Sequence, residues 1–332
     1  MTRPAGGLDE DTLIAEIFAP LATDRGADDL GDDAATFAAG DGDVVITVDA
    51  LAAGVHFFAD DPPEAIAAKA LRVNLSDLAA KGAEPFGYLL ALALGPDWTA
   101  DWARRFADGL KADQARYGVS LLGGDTLRAS PGGGTQLTVT ALGRVPAGAT
   151  VRRRTAQPGD VLTVTGTIGD AALGLSCRLA PDGRPFGLGK ADADALAQAY
   201  LWPTPPVAAF AAVRAHARAA MDISDGLIGD LAKMMRTAGC AAVLDVDAVP
   251  LSAPVRAAVA ADPAARDIAL TGGDDYQILA AIRPDEVDAY CAAVAAAGAS
   301  AQVVGKVEAG SGVRLTASGK HAAIADMRFQ HF

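Results

Sequence analysis

Seven short runs, rich in branched residues or alternating in polarity, punctuate this chain and predict strands: "DVVITVDA" (43–50), "GYLLALAL" (87–94), "QLTVTALGRV" (136–145), "DVLTVTG" (160–166), "AAVLDVDAV" (241–249), "DIALTG" (267–272) and "YQILAAI" (276–282). Ala-rich helical stretches separate them. "PPEAIAAKALRVNLSDLAAKGA" (62–83) reads as one helix, and "DWTADWARRFADGLKADQARYG" (97–118) as another, whose Trp98, Trp102, Phe106 and Leu110 recur every four residues and mark a core-facing stripe. Strands interleaved with helices are buried only in mixed α/β layers, so that fold class is expected, with the strand order open. At 332 residues the chain exceeds one ordinary core. "ASPGGGTQ" reads as a flexible, hairpin-like loop and "AQPGD" as a tight turn, with a boundary near 146–158 that gives expected domains 1–150 and 151–332.

Composition excludes several functions. Half of the residues (51%) are hydrophobic, too many for a disordered chain, and a formal charge of −13 argues against a nucleic-acid backbone or an anionic membrane as partner. A polyphosphate would need intervening cations. "MTRPAGGLDEDTLIAEIFAPLA" has acids where a leader would be basic, and its Leu13, Ile14, Ile17, Phe18 and Leu21 follow helical spacing, predicting an amphipathic helix. "YLLALAL" is too short to span a bilayer. Cys177, Cys240 and Cys291 lack metal-site spacing and read as buried thiols of a reducing cytoplasm.

Against that background "MDISDGLIGD" (221–230) crowds Asp222, Asp225 and Asp230 at a strand-to-helix junction. Helix capping by an Asp or Ser is the plain explanation. Acids recur, however, at other expected element ends: Asp32 and Asp33 in "LGDDAA", Asp49 and His56 in "ITVDALAAGVHFF", Asn74 and Asp77 in "RVNLSDLAAKGAEP", and the Gly-Gly-Asp of "LLGGDT" and "LTGGDDYQIL". Each has its own local explanation: an Asx turn for Asp32 and Asp33, an ion pair of Asp77 with Lys81, ordinary turns at the glycines. Together they favour a polyacidic metal site. Carboxylates and hydroxyls without a Cys or His cluster suit Mg2+ or Mn2+. There is no Walker loop, kinase glycine loop, dinucleotide fingerprint or nucleophile elbow, and His216 reads as a surface helix residue.

In order along the chain, "GDDAA", "VDALAAGVHF", "NLSDLAAKGAEP", "GGDT", "RRTAQPGD", "VTGTIGDAALGL", "DISDGL" and "GGDDYQIL" resemble the thiamine-monophosphate kinase family, from about residue 8 to the C-terminus. That family belongs with the aminoimidazole-ribonucleotide synthetase-like ATP enzymes. The resemblance implies a two-domain α/β fold whose N-terminal half dimerises through its sheet and whose C-terminal half completes the active-site cleft. It implies a cytoplasmic homodimer that phosphorylates thiamine monophosphate with ATP and several Mg2+ ions, without a general base. It further implies magnesium ligation by Asp33, Thr47, Asp49, Asp77, Asp125, Asp222 and Asp225, ATP contacts from Gly124, Asp125, Arg153 and Ser224, and substrate contacts from His56, Asp274 and Phe329. Three positions depart from the family pattern: Val48 where a second hydroxyl is usual, Asp274 where Glu is usual, and the loosely matching ending "MRFQHF" around Phe329. Two alternatives stay open. One is another ATP enzyme of the superfamily, although its hydrogenase-maturation and selenophosphate-forming members use a reactive terminal Cys and none lies in the first or last forty residues; the other is a non-catalytic nucleotide- or metal-binding module.

Overall fold

The computed structural model describes residues 9–30, 38, 40–318 and 320–322. Its described parts fall into two compact units, one within Met1–Leu78 and Glu84–Gly148, the other within Ala79–Ala83 and Ala149–Phe332.

In the first unit the expected N-terminal helix buries Leu13, Ile17, Phe18 and Leu21, but only α1 (Glu10–Leu13) is regular. The coil loosens into a π turn over Ile14–Phe18 and tightens to 3-10 over Ala19–Leu21, where Pro20 has no N–H to continue an α-helical ladder. Then follow β1 (Asp43–Ala52), α2 (Pro63–Ala80), β2 (Glu84–Leu94), α3 (Ala100–Tyr117), β3 (Ser120–Arg128) and β4 (Gln136–Val145). The four strands lie in the order β1-β4-β2-β3, with only β2 and β3 parallel. "ASPGGGTQ" is therefore no hairpin: it carries the chain from edge strand β3 past β2 to β4. The Gly-Gly-Asp of residues 123–125 is no turn either. It pairs with Leu89, Leu90 and Ala91 inside β3, because a full ladder with β2 overrides the local bias of two glycines.

Helix α3 begins at Thr99, whose hydroxyl accepts the Trp102 N–H at 3.1 Å, and ends at left-handed Gly118. The Trp98–Leu110 stripe is core, with Trp102 stacked on Phe106 at 5.1 Å. Helices α2 and α3 are clamped by a buried bidentate pair, Arg72 to Asp113, both contacts 2.7 Å. One sheet face is buried through Tyr88, Leu90, Leu92, Leu137 and Val139. The other leaves Ile46, Val48, Leu89 and Leu127 at 62%, 57%, 39% and 49% exposure, an apolar face open to solvent among the described residues.

The second unit contains β5 (Val161–Thr165), α4 (Asp170–Leu179), α5 (Lys190–Leu201), α6 (Phe210–His216), β6 (Ala217–Ile223), α7 (Leu227–Ala238), β7 (Ala241–Asp245), α8 (Ala253–Ala261), α9 (Ala264–Thr271), β8 (Gln277–Ile282), α10 (Val287–Ala296), β9 (Ala301–Glu308), β10 (Gly312–Ala317) and β11 (Lys320–Ala322). Its seven strands run β11-β10-β7-β9-β5-β8-β6, mixed in direction. Leu162, Val164, Met221, Ile223, Leu231, Met234, Leu244 and Leu279 form the main core between this sheet and α7.

Expectations at α9 and α6 fail in this unit. "DIALTG" is the end of α9, not a strand: Ala265, Ala269 and Leu270 are buried at helical spacing, and the branched Ile268 misleads. His216 is not a surface residue, since it is half-buried with Nδ1 2.7 Å from Glu286. The cysteines are free thiols, with Cys177 and Cys240 buried and Cys291 half-buried. Among the described residues no helix is long and apolar enough to cross a membrane.

Candidate active site

In the first unit β1 and α2 bring their polar groups together. The Thr47 hydroxyl donates to Asp77 Oδ2 at 2.5 Å, and Asp49, two residues further along β1, shares the Thr47 face by the strand's period of two. Asp77 is thus held by Thr47, while Lys81 donates to the Ala220 carbonyl at 2.7 Å. Val48 points to the exposed face, so its departure from the family pattern leaves the Thr47–Asp49 face unchanged.

After β1 the chain turns tightly at Ala52–Phe57, with Gly54 N–H donating to the Phe57 carbonyl at 2.8 Å. His56 Nδ1 accepts the Ala52 N–H at 3.1 Å. The neutral tautomer that keeps this bond carries its proton on Nε2. The sheet register separates the third acid. Gly124 lies in one row with Leu90, Val139 and Asp49, about 14 Å from Asp49 across three strand spacings, whereas Asp125 lies in the row of Ala91, Thr138 and Ala50 on the exposed face.

In the second unit β6 delivers Asp222, almost buried, to a turn ahead of α7. The expected side-chain cap is absent: the N-cap is Gly226, and no side chain bonds there. Asp230, fully buried in the first turn of α7, reaches back instead and accepts both the Ser224 and the Asp225 N–H at 2.9 Å. Lys233 donates to Asp225 and, at 3.0 Å, to Asp230. Burial opposes the Lys233 charge, but these two bonds outweigh it and hold the ammonium above its ordinary range.

The Gly-Gly-Asp-Asp segment interlocks with this turn. Gly273 is required because a Cβ there would stand 2.2 Å from the Ser224 carbonyl oxygen, and Gly226 because its φ is +101° with Thr271 O 2.4 Å from any Cβ. The Asp274 N–H donates to Ser224 O at 2.9 Å and the Tyr276 N–H to Ile223 O at 2.8 Å. Asp274 and Tyr276 both take positive φ, 73° and 50°. Between them, buried Asp275 accepts the Gly169 N–H at 2.9 and 3.0 Å and so ties the loop to the start of α4. The Tyr276 hydroxyl donates to Asp274 Oδ1 at 2.9 Å, fixing the shorter acid that stands where the family has Glu.

One pair of interlocked loops therefore gathers Asp222, Ser224, Asp225 and Asp274. Arg153 is not among them. It is exposed in the 3-10 turn Arg153–Thr155, which is anchored by Thr155 Oγ1 to the Arg218 carbonyl at 2.6 Å, four residues or about 13 Å down β6 from Asp222. Asp33 and Phe329 lie outside the described residues. Asp230, Lys233, Asp275 and Tyr276 went unassigned in the sequence. Only the three-residue spacing of Asp230 and Lys233 on one helix face hinted at their pairing.

Among the described residues no three His, Cys, Asp or Glu stand close enough to cage a metal ion. The oxygen donors still fit magnesium, which is characteristically held by one or two carboxylates with phosphates and waters completing the shell. Thr47 with Asp77, and Asp222 with Asp225, offer such partial sets.

Residues 31–145 match the N-terminal domain, and residues 157–318 the C-terminal domain, of the AIR synthase related proteins. Thiamine-monophosphate kinase of Caulobacter vibrioides is 41% identical over 324 residues, 96% of this chain and 89% of that protein. The chain belongs to the thiamine-monophosphate kinase family. The Salmonella typhimurium kinase is 43% identical over 71% of this chain and 70% of its own length. The crystal structure of the thiamine-monophosphate kinase from Stenotrophomonas maltophilia K279a superposes with a TM-score of 0.79 at 38% identity, covering 88% of this chain and 91% of that one. The structure described as AaThiL complexed with AMPPCP and TMP gives 0.74 at 28%, covering 97% and 94%. Hydrogenase maturation protein HypE of E. coli reaches 0.77 at 19% identity, covering 97% and 98%, which is a likeness of fold alone.

Proposed function

We infer that this chain transfers the γ-phosphoryl group of ATP to thiamine monophosphate, giving thiamine diphosphate and ADP. The observation that carries the reading is its 41% identity to a thiamine-monophosphate kinase across 96% of the chain. The interlocked loops support it, since they collect a hydroxyl and three carboxylates, oxygen donors suited to magnesium and phosphate.

The acceptor explains why no catalytic base is needed. The second pKa of a phosphate monoester is about 6, so the phosphate is mostly dianionic at neutral pH and attacks γ-phosphorus directly. An acceptor P–O bond forms as the bond to the β–γ bridging oxygen breaks, and ADP leaves with that electron pair. The obstacle is repulsion between two polyanions. Magnesium, several ions per site, supplies the neutralising charge when bound; Asp33, Thr47, Asp49, Asp77, Asp125, Asp222 and Asp225 would hold it. Gly124, Asp125, Arg153 and Ser224 are assigned to ATP. His56 presents Nε2–H to the acceptor, and Asp274, oriented by Tyr276, offers a carboxylate to the cationic thiazolium. Phe329 is the proposed aromatic contact. The exposed face of the β1-β4-β2-β3 sheet is the proposed homodimer surface, and the cytoplasm the proposed compartment.

Incubation with ATP, Mg2+ and thiamine monophosphate should give equimolar ADP and thiamine diphosphate, and a chiral γ-thiophosphate analogue should transfer with net inversion. Nucleotide binding without turnover would instead support a binding module, and net retention would demand a phosphoenzyme.

A further inference from the structure

Lys233, in the second turn of α7, sets its ammonium between two carboxylates of different freedom. Asp230 is fully buried, and its other oxygen is committed to the Ser224 and Asp225 N–H groups at 2.9 Å. Asp225 has its N–H fixed by those bonds but its side chain one-third exposed, 33%, so it is the member able to change partner. Asp222, Asp225 and Asp230 fall within nine residues, and Lys233 balances the charge that would otherwise repel within this turn.

We propose that Lys233 is a positioning residue: it holds Asp225 as an internal counter-ion in the metal-free enzyme and yields it when magnesium arrives with the phosphates, thereby setting magnesium affinity. This rests on the reading of Asp225 as a magnesium ligand. The sign of the effect follows from comparing two contributions. Lys233 occupies an Asp225 oxygen and would place a like charge within a few ångströms of a cation bound through that carboxylate, both of which weaken metal binding. It also pre-orders one short side chain, which strengthens binding. Repulsion between charges at that distance is the larger effect, so removing the ammonium tightens binding on balance.

Mn2+ titration followed by electron paramagnetic resonance, with melting temperatures of the metal-free and Mg2+-loaded protein, tests this without relying on turnover. Lys233→Met should bind Mn2+ about tenfold more tightly or better, melt lower without metal and gain more on loading. Lys233→Arg should behave like the parent. Lys233→Gln, which keeps a hydrogen-bond donor, should fold even if Met does not, and should show the same tightening. A folded Met or Gln variant with unchanged or weaker Mn2+ affinity overturns the role of Lys233. Asp225→Asn separates the two readings: it should lose Mn2+ affinity. Unchanged affinity in that variant removes the ligand assignment itself and the proposal with it.

Discussion

His56 shows how one backbone bond fixes the chemistry a side chain can offer. With Nδ1 accepting the Ala52 N–H at 3.1 Å, the neutral ring can only donate from Nε2. That suits an anionic acceptor. His56→Ala should therefore raise the KM for thiamine monophosphate by ~10-fold and leave that for ATP little changed, with Gln, whose amide can donate from nearly the same place, recovering part of the loss. Steady-state kinetics with each substrate varied in turn would check this, and a rise confined to ATP would exchange the two pockets. The residue types of the site were legible in the sequence because carboxylates at element ends are conspicuous. Their partners were not. Nothing in the letters around Asp230 distinguishes a helix cap from a buried acid that reaches backward to hold two N–H groups, since the difference lies in which way one turn of chain folds.

At the scale of elements, the loops 223–226 and 271–276 behave as one piece. Gly273→Ala forces a Cβ against the Ser224 carbonyl, a backbone atom that cannot swing aside. The expected cost is about 1–3 kcal/mol of stability by analogy with overpacked cores. The loss of turnover should be disproportionately large, because the same shift displaces Ser224 and Asp225; comparing melting temperature with kcat tests it, and normal kcat would show that the loops act independently. Asp275 makes a pH-dependent contribution. Burial, with Asp170 and Asp274 nearby, pushes its carboxyl well above the ordinary range despite the Gly169 N–H. The folded chain then binds a proton that the unfolded chain has released, so stability falls as pH rises from about 4, the unfolded value, through the raised folded one. Asp275→Asn escapes that loss: its melting temperature relative to the parent should climb across the same window. A difference flat with pH would mean that Asp275 titrates normally. Strands with branched or alternating residues, such as β1, β4 and β8, were readable locally, while β6, "ARAAMDI", hides its pairing under alanines, and "DIALTG" shows a strand's composition inside a helix.

At the scale of the whole molecule, the mixed α/β class followed from the alternation of strand and helix patterns. The order β1-β4-β2-β3 could not, because it depends on long-range pairing that places β4 between strands far away in sequence. That order has a consequence for assembly. It sets Val48, Thr140 and Leu89 in one exposed row, with Ile46 and Leu127 on the same face and Asp125 two rows away, also on that face. An apolar face of this kind beside an acid assigned to ATP and metal would tie oligomer to activity if a second copy sat there, because that copy would exclude water around Asp125. Val48→Asp places a charge on that face, midway along edge strand β1, and at 57% exposure the side chain contributes little to the fold of a single chain. The parent should run as a dimer at micromolar concentration in light scattering coupled to gel filtration, and the variant as a folded monomer with an unchanged circular dichroism spectrum and much reduced kcat. A parent that is already monomeric, or a variant that keeps the parent mass, would show that this sheet face is not the interface; a monomeric variant with full kcat would show that Asp125 does not need the second copy.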